Sequence, residues 1–350
     1  MKKILFFVLL LTLFLMLVSC DDAILDRQGL KFYRTDNDSY AVEVGDAKYL
    51  SEIVIPNTYL GRPVVEIGTG GFEDCKNLKS ITIPKNLKKI GRGAFAGCSL
   101  LEEINFNAIE MNDREDIIFS DSSAGAEEVT VNIGADVKRI PSYLFYSSGV
   151  TEVNFAEESA CERIGDNAFG NCTHLTSFTI PESVTEIGDY AFARCTELAS
   201  ITIPESVTEI GGFAFKDCEA LTTVTIPESI TAIHEYAFEN CTALTSFTIP
   251  ESVTEIGSYA FSNCKALRNI NIPEGVNEIG ERAFLDCEAL MTVTIPKSVT
   301  AIREYAFAYC HNLKEIRYRG SAGMWYAIQK GNSWKYGVEK CTFTYNYDGE

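Results

Sequence analysis

From residue 175 onward, apolar and polar positions recur in a fixed order. One unit reads Leu175-Thr-Ser-Phe-Thr-Ile-Pro-Glu-Ser-Val-Thr-Glu-Ile-Gly-Asp-Tyr-Ala-Phe-Ala-Arg-Cys-Thr-Glu197. Apolar and polar residues alternate in Ser177-Phe178-Thr179-Ile180, which predicts a half-buried strand with Phe178 and Ile180 inward. Leu175 points inward just before it. Pro181 ends the strand, because it has no N–H for a ladder. Val184 and Ile187 bring a second, shorter extended segment back to the core, and Gly188 breaks it. Asp189 to Cys195 predicts a short helical or 3-10 turn with Ala191, Phe192 and Cys195 inward, and Asp189 suits a helix N-terminus. Each unit thus offers eight inward positions: Leu175, Phe178, Ile180, Val184, Ile187, Ala191, Phe192 and Cys195.

The unit restarts at Leu198, Leu221, Leu244, Leu267, Leu290 and Leu313, always 23 residues on. A fixed period of this size predicts a solenoid, in which each coil buries its apolar face against its neighbours. Strand cores at Ile53, Ile81, Ile104, Val131, Val153, Phe178, Ile201, Val224, Phe247, Ile270, Val293 and Ile316 predict twelve coils of parallel strands. At about 4.8 Å per coil the stack is on the order of 55–60 Å long. Residues 101–165 depart from the period. Within them 113–128 is polar and acidic and reads as an exposed insertion, Pro141 stands where other units have Gly, and Ser148 takes a Cys position. An insertion on a regular scaffold is a common place for function, and equally a place where variation is tolerated.

The consensus Leu-x-x-Ile-x-Ile-Pro-x-x-Val-x-x-Ile-Gly-x-x-Ala-Phe-x-x-Cys resembles the BspA-type bacterial leucine-rich repeat. It differs from the commoner repeat with Asn after the strand, having Ser183 or Ser206 in that region. Ile53 to Val64 resembles the family's longer first repeat, and Gly320 to Trp334, with Trp325, Ile328 and Trp334, its closing segment. The fold class expected is therefore a leucine-rich-repeat solenoid, β-rich with short helical or 3-10 turns. Its expected parts are a leader at 1–19, an anchor linker at 20–28, a hairpin cap at 29–52, repeats at 53–319 and a C-terminal cap at 320–350. Caps are expected because open solenoid ends expose apolar surface and unpaired strand groups. The resemblance implies adhesion, with host extracellular-matrix proteins or other cells as partners.

The leader has Lys2 and Lys3 followed by an apolar stretch from Ile4 to Val18 broken only by Thr12. That is shorter than the ~20 residues of a membrane-spanning helix and fits the apolar region of a signal peptide. Leu17-Val18-Ser19-Cys20 resembles the lipobox of bacterial lipoproteins, with Cys20 as the lipidated residue. Acyl chains there would hold the protein to a membrane at about 0.8 kcal/mol per buried CH₂. The expected location is the bacterial cell envelope, surface-exposed, with the choice of inner or outer membrane left open.

Nine further cysteines share one repeat position: Cys75, Cys98, Cys172, Cys195, Cys218, Cys241, Cys264, Cys287 and Cys310. Stacked coils place equivalent residues near disulfide range, yet nine cannot all pair, and the inward position favours buried free thiols that pack as small hydrophobes. Ser148 in the same slot agrees with packing. A formal charge of −19 argues against nucleic acid as partner. Much of that charge is one or two repeated glutamates, Glu182, Glu205, Glu228, Glu251 and Glu274 with Glu186, Glu209, Glu255 and Glu278. These read as a solvated acidic stripe rather than a calcium site. No metal or cofactor is expected. His174, His234 and His311 fall at unrelated repeat positions and no catalytic motif occurs, so an enzyme is not expected.

The outward strand positions form two polar columns. One is Ser177, Ser200, Thr223, Ser246, Asn269 and Thr292; the other is Thr179, Thr202, Thr225, Thr248, Asn271 and Thr294. Thr suits an exposed strand whatever its use. Such a flat face is also the candidate binding surface for a protein or glycan ligand. Two functional readings remain at this level: a surface lipoprotein binding macromolecules, and a structural spacer of the envelope without a ligand of its own.

Overall fold

The computed structural model of the chain describes residues 28–35, 37–113, 117–118, 128–338 and 340–347. The leader with Cys20, and most of the 113–128 segment, lie outside the described residues; Ile118, within the segment expected to be an exposed insertion, is instead buried in the core, its carbonyl accepting the Phe95 N–H at 3.4 Å. The remainder is a solenoid of parallel strands with very little helix. Coils stack in register: Phe178 lies opposite Ile201, and Ile201 opposite Val224. A shift of one whole repeat keeps like residues side by side, so inward positions stay inward along the stack. All eight predicted inward positions of the 175–197 unit are buried, and they belong to one core that runs from Leu30 to Val338.

The first ladder follows the predicted strand cores. It comprises Glu52–Val54, Ser80–Ile83, Glu103–Phe106, Val129–Ile133 and Val150–Phe155, then Ser177–Thr179, Ser200–Thr202 and Thr223–Thr225, then Asn269–Asn271, Thr292–Ile295, Glu315–Tyr318 and Thr342–Tyr345. It is interrupted twice, and the core at Phe247 forms no strand. Both interruptions fall where the inward residue is Phe rather than Ile or Val. Phe178 packs edge-on between Phe169 and Phe192 at 5.0 and 4.8 Å, and Phe247 between Phe238 and Phe261 at 4.9 and 4.7 Å. A ring needs more depth than an aliphatic side chain in a close-packed interior, and ladder pairing is lost on one side of Phe178, which still pairs with Ile201, and on both sides of Phe247.

A second parallel ladder of short strands follows the proline turn, for example Arg163–Ile164, Glu186–Ile187 and Glu209–Ile210. The third side of the coil differs from expectation. Residues 189–195 are not a helical or 3-10 stretch: Tyr190 and Arg194 both adopt positive φ, 57° and 62°. This alternation sends the N–H groups of Tyr190, Phe192 and Arg194 to the carbonyls of Gly212, Ala214 and Lys216 in the next coil, at 3.0, 2.9 and 2.7 Å. Ala193 and Cys195 close local turns onto Tyr190 and Phe192 at 3.0 and 3.2 Å. Every turn amide is therefore paired without a helix, as buried backbone requires. Inside this side runs a stack of phenylalanines. Phe192, Phe215, Phe238, Phe261 and Phe284 each face the next ring nearly parallel, with centroids 5.2–5.6 Å apart.

The ends are closed. Lys31–Arg34 and Tyr40–Glu43 form an antiparallel hairpin, and Tyr40–Glu43 continues the second ladder onto Arg62–Ile67. At the other end, the short helix Ala322–Ala327 is capped by Ser321, whose Oγ accepts the Met324 N–H at 3.4 Å. It buries Trp325 against Tyr318, Trp334 and Phe343, and Trp334 in turn meets Phe307, the last ring of the stack.

Candidate functional site

The structure places Ser177, Thr179, Ser200, Thr202, Thr223, Thr225, Ser246, Thr248, Asn269 and Asn271 exposed on the outer face of the first ladder. Two expected members of this surface do not belong to it in full. Thr292 is half-buried, and Thr294 is buried at 8% exposure. Arg319 reaches back two coils to Asn271 Oδ1 and Glu274 Oε1, both at 3.4 Å, across the coil that carries Thr294, while Thr292 lies opposite Glu315 of the next coil. The usable face therefore runs from Ser177 to Asn271.

What distinguishes this face is that its hydroxyls are unused by the scaffold. Elsewhere in each unit, Ser and Thr close the coils onto one another. Ser183, Ser252 and Ser298 donate to the carbonyls of Cys161, Ile230 and Val276 at 2.7, 2.6 and 2.7 Å. Thr185, Thr208, Thr254 and Thr300 donate to Glu162, Thr185, Thr231 and Asn277 at 3.1–3.3 Å. In the N-terminal coils the outward strand residues are tied as well: Asn132 Nδ2 donates to Asn105 Oδ1 and Glu103 Oε1 at 3.0 Å, and Asn154 Nδ2 to Asn132 Oδ1 at 3.4 Å. Among the described residues no such bond engages the side chains of Ser177, Thr179, Ser200, Thr202, Thr223, Thr225, Ser246 or Thr248.

The cysteine column is buried and free of disulfides among the described residues. It does more than fill space. Each thiol from Cys172 to Cys310 donates to the carbonyl of a phenylalanine in the preceding coil; Cys195 to Phe169, Cys218 to Phe192 and Cys241 to Phe215 span 3.2–3.3 Å. Ser148 fits the slot because it is also a donor: its Oγ bonds Phe145 O at 2.6 Å and touches Cys172 Sγ at 3.6 Å. Burial pushes the Cys172 and Cys264 thiols up to about 12, and Cys195, Cys241 and Cys287 likewise upward. These thiols stay protonated at neutral pH and are poor nucleophiles and poor metal ligands.

A feature absent from the sequence reading lies on the opposite side of the coil. The aromatic residue before each Ala-Phe pair forms an outer column, Tyr190, Phe213, Tyr236 and Tyr259, with rings stacked 4.3–4.5 Å apart. Lys216 sits over Phe213 and Tyr236 at 5.9 and 5.3 Å. Every member holds positive φ, between 57° and 59°. The repeat of the aromatic was visible in the chain; the backbone that turns it outward was not. Beside it a second column of positive-φ residues is linked by amides, Asn240 Nδ2 donating to Asp217 Oδ1 at 2.9 Å and Asn263 Nδ2 to Asn240 Oδ1 at 2.5 Å.

The repeated glutamates line the exterior. Glu186 pairs with Arg163 at 3.0 Å and Glu278 with Arg303. His174, His234 and His311 stand in different coils; His174 lies 3.5 Å from Glu197, and His311 Nδ1 is 3.3 Å from Gly337 O.

The family described as BspA type leucine rich repeat region (6 copies) matches this chain over four overlapping stretches, 46–173, 125–245, 162–287 and 231–324. Similar solved structures include a leucine rich cell surface protein from Faecalibacterium prausnitzii, 26% identical, covering 86% of this chain and 96% of that one with a TM-score of 0.36. A leucine-rich repeat protein from Bacteroides ovatus is 23% identical, covering 91% and 98%, with a TM-score of 0.42. The T. pallidum leucine rich repeat protein is 24% identical, covering 69% and 88%, with a TM-score of 0.39. Among curated proteins no match is found.

Proposed function

Because the chain belongs to the BspA-type leucine-rich repeat family, whose pattern runs through it from residue 46 to residue 324, we propose that it is a membrane-anchored surface lipoprotein whose solenoid binds macromolecules in adhesion or cell–cell contact. A repeat solenoid offers a broad, rigid surface of the kind on which protein partners dock. The observation that carries the reading is the strand face from Ser177 to Thr248, where outward hydroxyls repeat coil after coil with no structural bond to make among the described residues. Protein or glycan partners would meet donors and acceptors there that need not first be released from the scaffold. The anchor rests on the Leu17-Val18-Ser19-Cys20 leader.

A binding screen against matrix proteins, glycans and whole cells tests the reading. A saturable ligand lost on Thr202→Lys with Thr225→Lys supports the strand face. A ligand unaffected by that pair moves the site elsewhere, and the absence of any ligand favours a spacer role. Cys20→Ser should abolish labelling with radioactive palmitate, and protease added to intact cells should remove the solenoid.

A further inference from the structure

The outer aromatic column contains two places where a residue other than an aromatic stands between two tyrosines. At one, Arg282 lies between Tyr259 and Tyr305, its guanidinium carbon 5.3 and 5.1 Å from the two ring centroids. Its Nη1 donates to Tyr259 Oη at 2.6 Å and to the carboxylate of Glu281. The chain thus fills this slot itself, with a planar cation held between rings and anchored by an acid one residue before it.

At the other, Asn167 lies between Tyr143 and Tyr190. The backbone is the same: φ is 60°, 53° and 57° for Tyr143, Asn167 and Tyr190, against 58°, 54° and 56° for Tyr259, Arg282 and Tyr305. The side chains therefore leave the coil in the same direction. Asn167 is too short to occupy the space, and its Oδ1 turns back to within 3.0 Å of where a Cβ on Gly170 would sit. What results is an open recess of about 680 Å³, lined by Tyr143, Asn167 and Tyr190 with Asp113, Asp166 and Asp189. Two coil steps separate its walls by roughly 9–10 Å, room for one planar group at stacking distance. Tyr190 stacks on Phe213 by one face at 4.3 Å and is 36% exposed.

The charges of the recess match a cation. Asp166 occupies the repeat position of Glu281, the acid that holds Arg282. Arg139 and Arg163 approach Asp113 at 3.0 and 3.7 Å, and Arg163 approaches Asp166 at 3.3 Å, so those two acids are partly neutralised. Asp189 has no ion-pair partner among the described residues; its Oδ1 accepts the Gly212 N–H at 2.8 Å, which leaves Oδ2 to receive a donor.

We propose that the slot between Tyr143 and Tyr190 binds the guanidinium of an arginine side chain from a partner protein, in the manner in which Arg282 fills the equivalent slot from within. Arginine suits it better than lysine, because a flat guanidinium stacks between rings while its edge donates to carboxylates. This recess is separate from the strand face, so its failure would leave the function proposed above untouched.

The test is titration of the intact protein with N-acetyl-arginine methylamide, read by NMR at the Asn167 side-chain amide and the Tyr190 ring. The lysine counterpart and methyl glucoside serve as competitors. The expected result is saturable shifts confined to the slot, with the arginine probe bound about 5-fold more tightly than the lysine probe. Asn167→Arg and Asn167→Phe, which fill the slot as neighbouring coils already do, should abolish binding. Asp189→Asn, which keeps both rings and can still accept the Gly212 N–H, should weaken it several-fold. Equal response to lysine, preference for the sugar, or unchanged binding in Asn167→Phe or Asp189→Asn would overturn the proposal.

Discussion

The strand face and the turn face repeat with the same period, yet different forces hold them. On the strand face, Thr179, Thr202 and Thr225 are extended, small and exposed, and their side chains bond to nothing among the described residues. On the turn face, Tyr190, Phe213, Tyr236 and Tyr259 hold positive φ, a conformation that costs a bulky residue on the order of 1–3 kcal/mol. Ring stacking offsets about 0.5–1.5 kcal/mol of this per pair, and the inter-coil amide bonds supply more. Periodicity alone therefore does not identify a binding surface. The turn column from Tyr190 to Tyr259 is fixed by what the scaffold needs; the strand column is free of that need, which supports it as the proposed ligand face.

The comparison can be broken in several ways. The largest expected effect is collective and confined to the turn side. The buried thiols bond Phe carbonyls only while protonated, and burial raises their folded pKa, to about 12 for Cys172 and Cys264, from an ordinary 9.0. Their stabilisation is full below pH 9.0 and declines as pH rises toward about 12, because the unfolded chain releases protons the folded chain retains. Hydrogen exchange over this range should show the turn amides losing protection before the strand amides. Next comes Phe238→Ala in the inner stack, expected to cost about 3–5 kcal/mol in urea unfolding, the scale of a large cavity. Tyr236→Ala in the outer column should cost about 1–2 kcal/mol through lost stacking. Tyr236→Gly should cost less than Tyr236→Ala, because glycine adopts positive φ freely; the reverse order would remove backbone strain from the account. Smallest is Thr225→Ala on the strand face, within about 0.5 kcal/mol of the parent. A larger loss there would mean that the hydroxyl column is structural after all.

Much of this fold was legible in the chain, because inward positions obey volume and polarity. Leu175, Ile187, Phe192 and Cys195 were placed correctly by alternation and period alone. The failures have local causes. Phe247 satisfies the apolar pattern, and only its packing between Phe238 and Phe261 shows that its ring is too deep for the ladder. The outward turn was partly written in glycines, since Gly70 and Gly93 occupy in early coils the positive-φ position that Tyr190 occupies later. An aromatic there gives no local hint of its backbone. The hydroxyls split by partner: Ser183 and Thr185 look as exposed in sequence as Thr179, and only the preceding coil's carbonyls claim them. Thr294 was lost to Arg319, which lies in the following coil and reaches beyond it.

The interruptions of the two ladders have a consequence for how the molecule breaks. Among the described residues the first ladder stops between Val150–Phe155 and Ser177–Thr179 and again around Phe247; the second stops between Lys89–Ile90 and Arg139–Ile140 and between Glu209–Ile210 and Ala232–Ile233. None of these gaps coincide. Where one course of strands is open, the other runs through, as joints are offset in a brick wall. A crack starting at either phenylalanine meets continuous bonding on the adjoining side, so the solenoid has no plane along which it can part cleanly when its two ends are pulled in opposite directions.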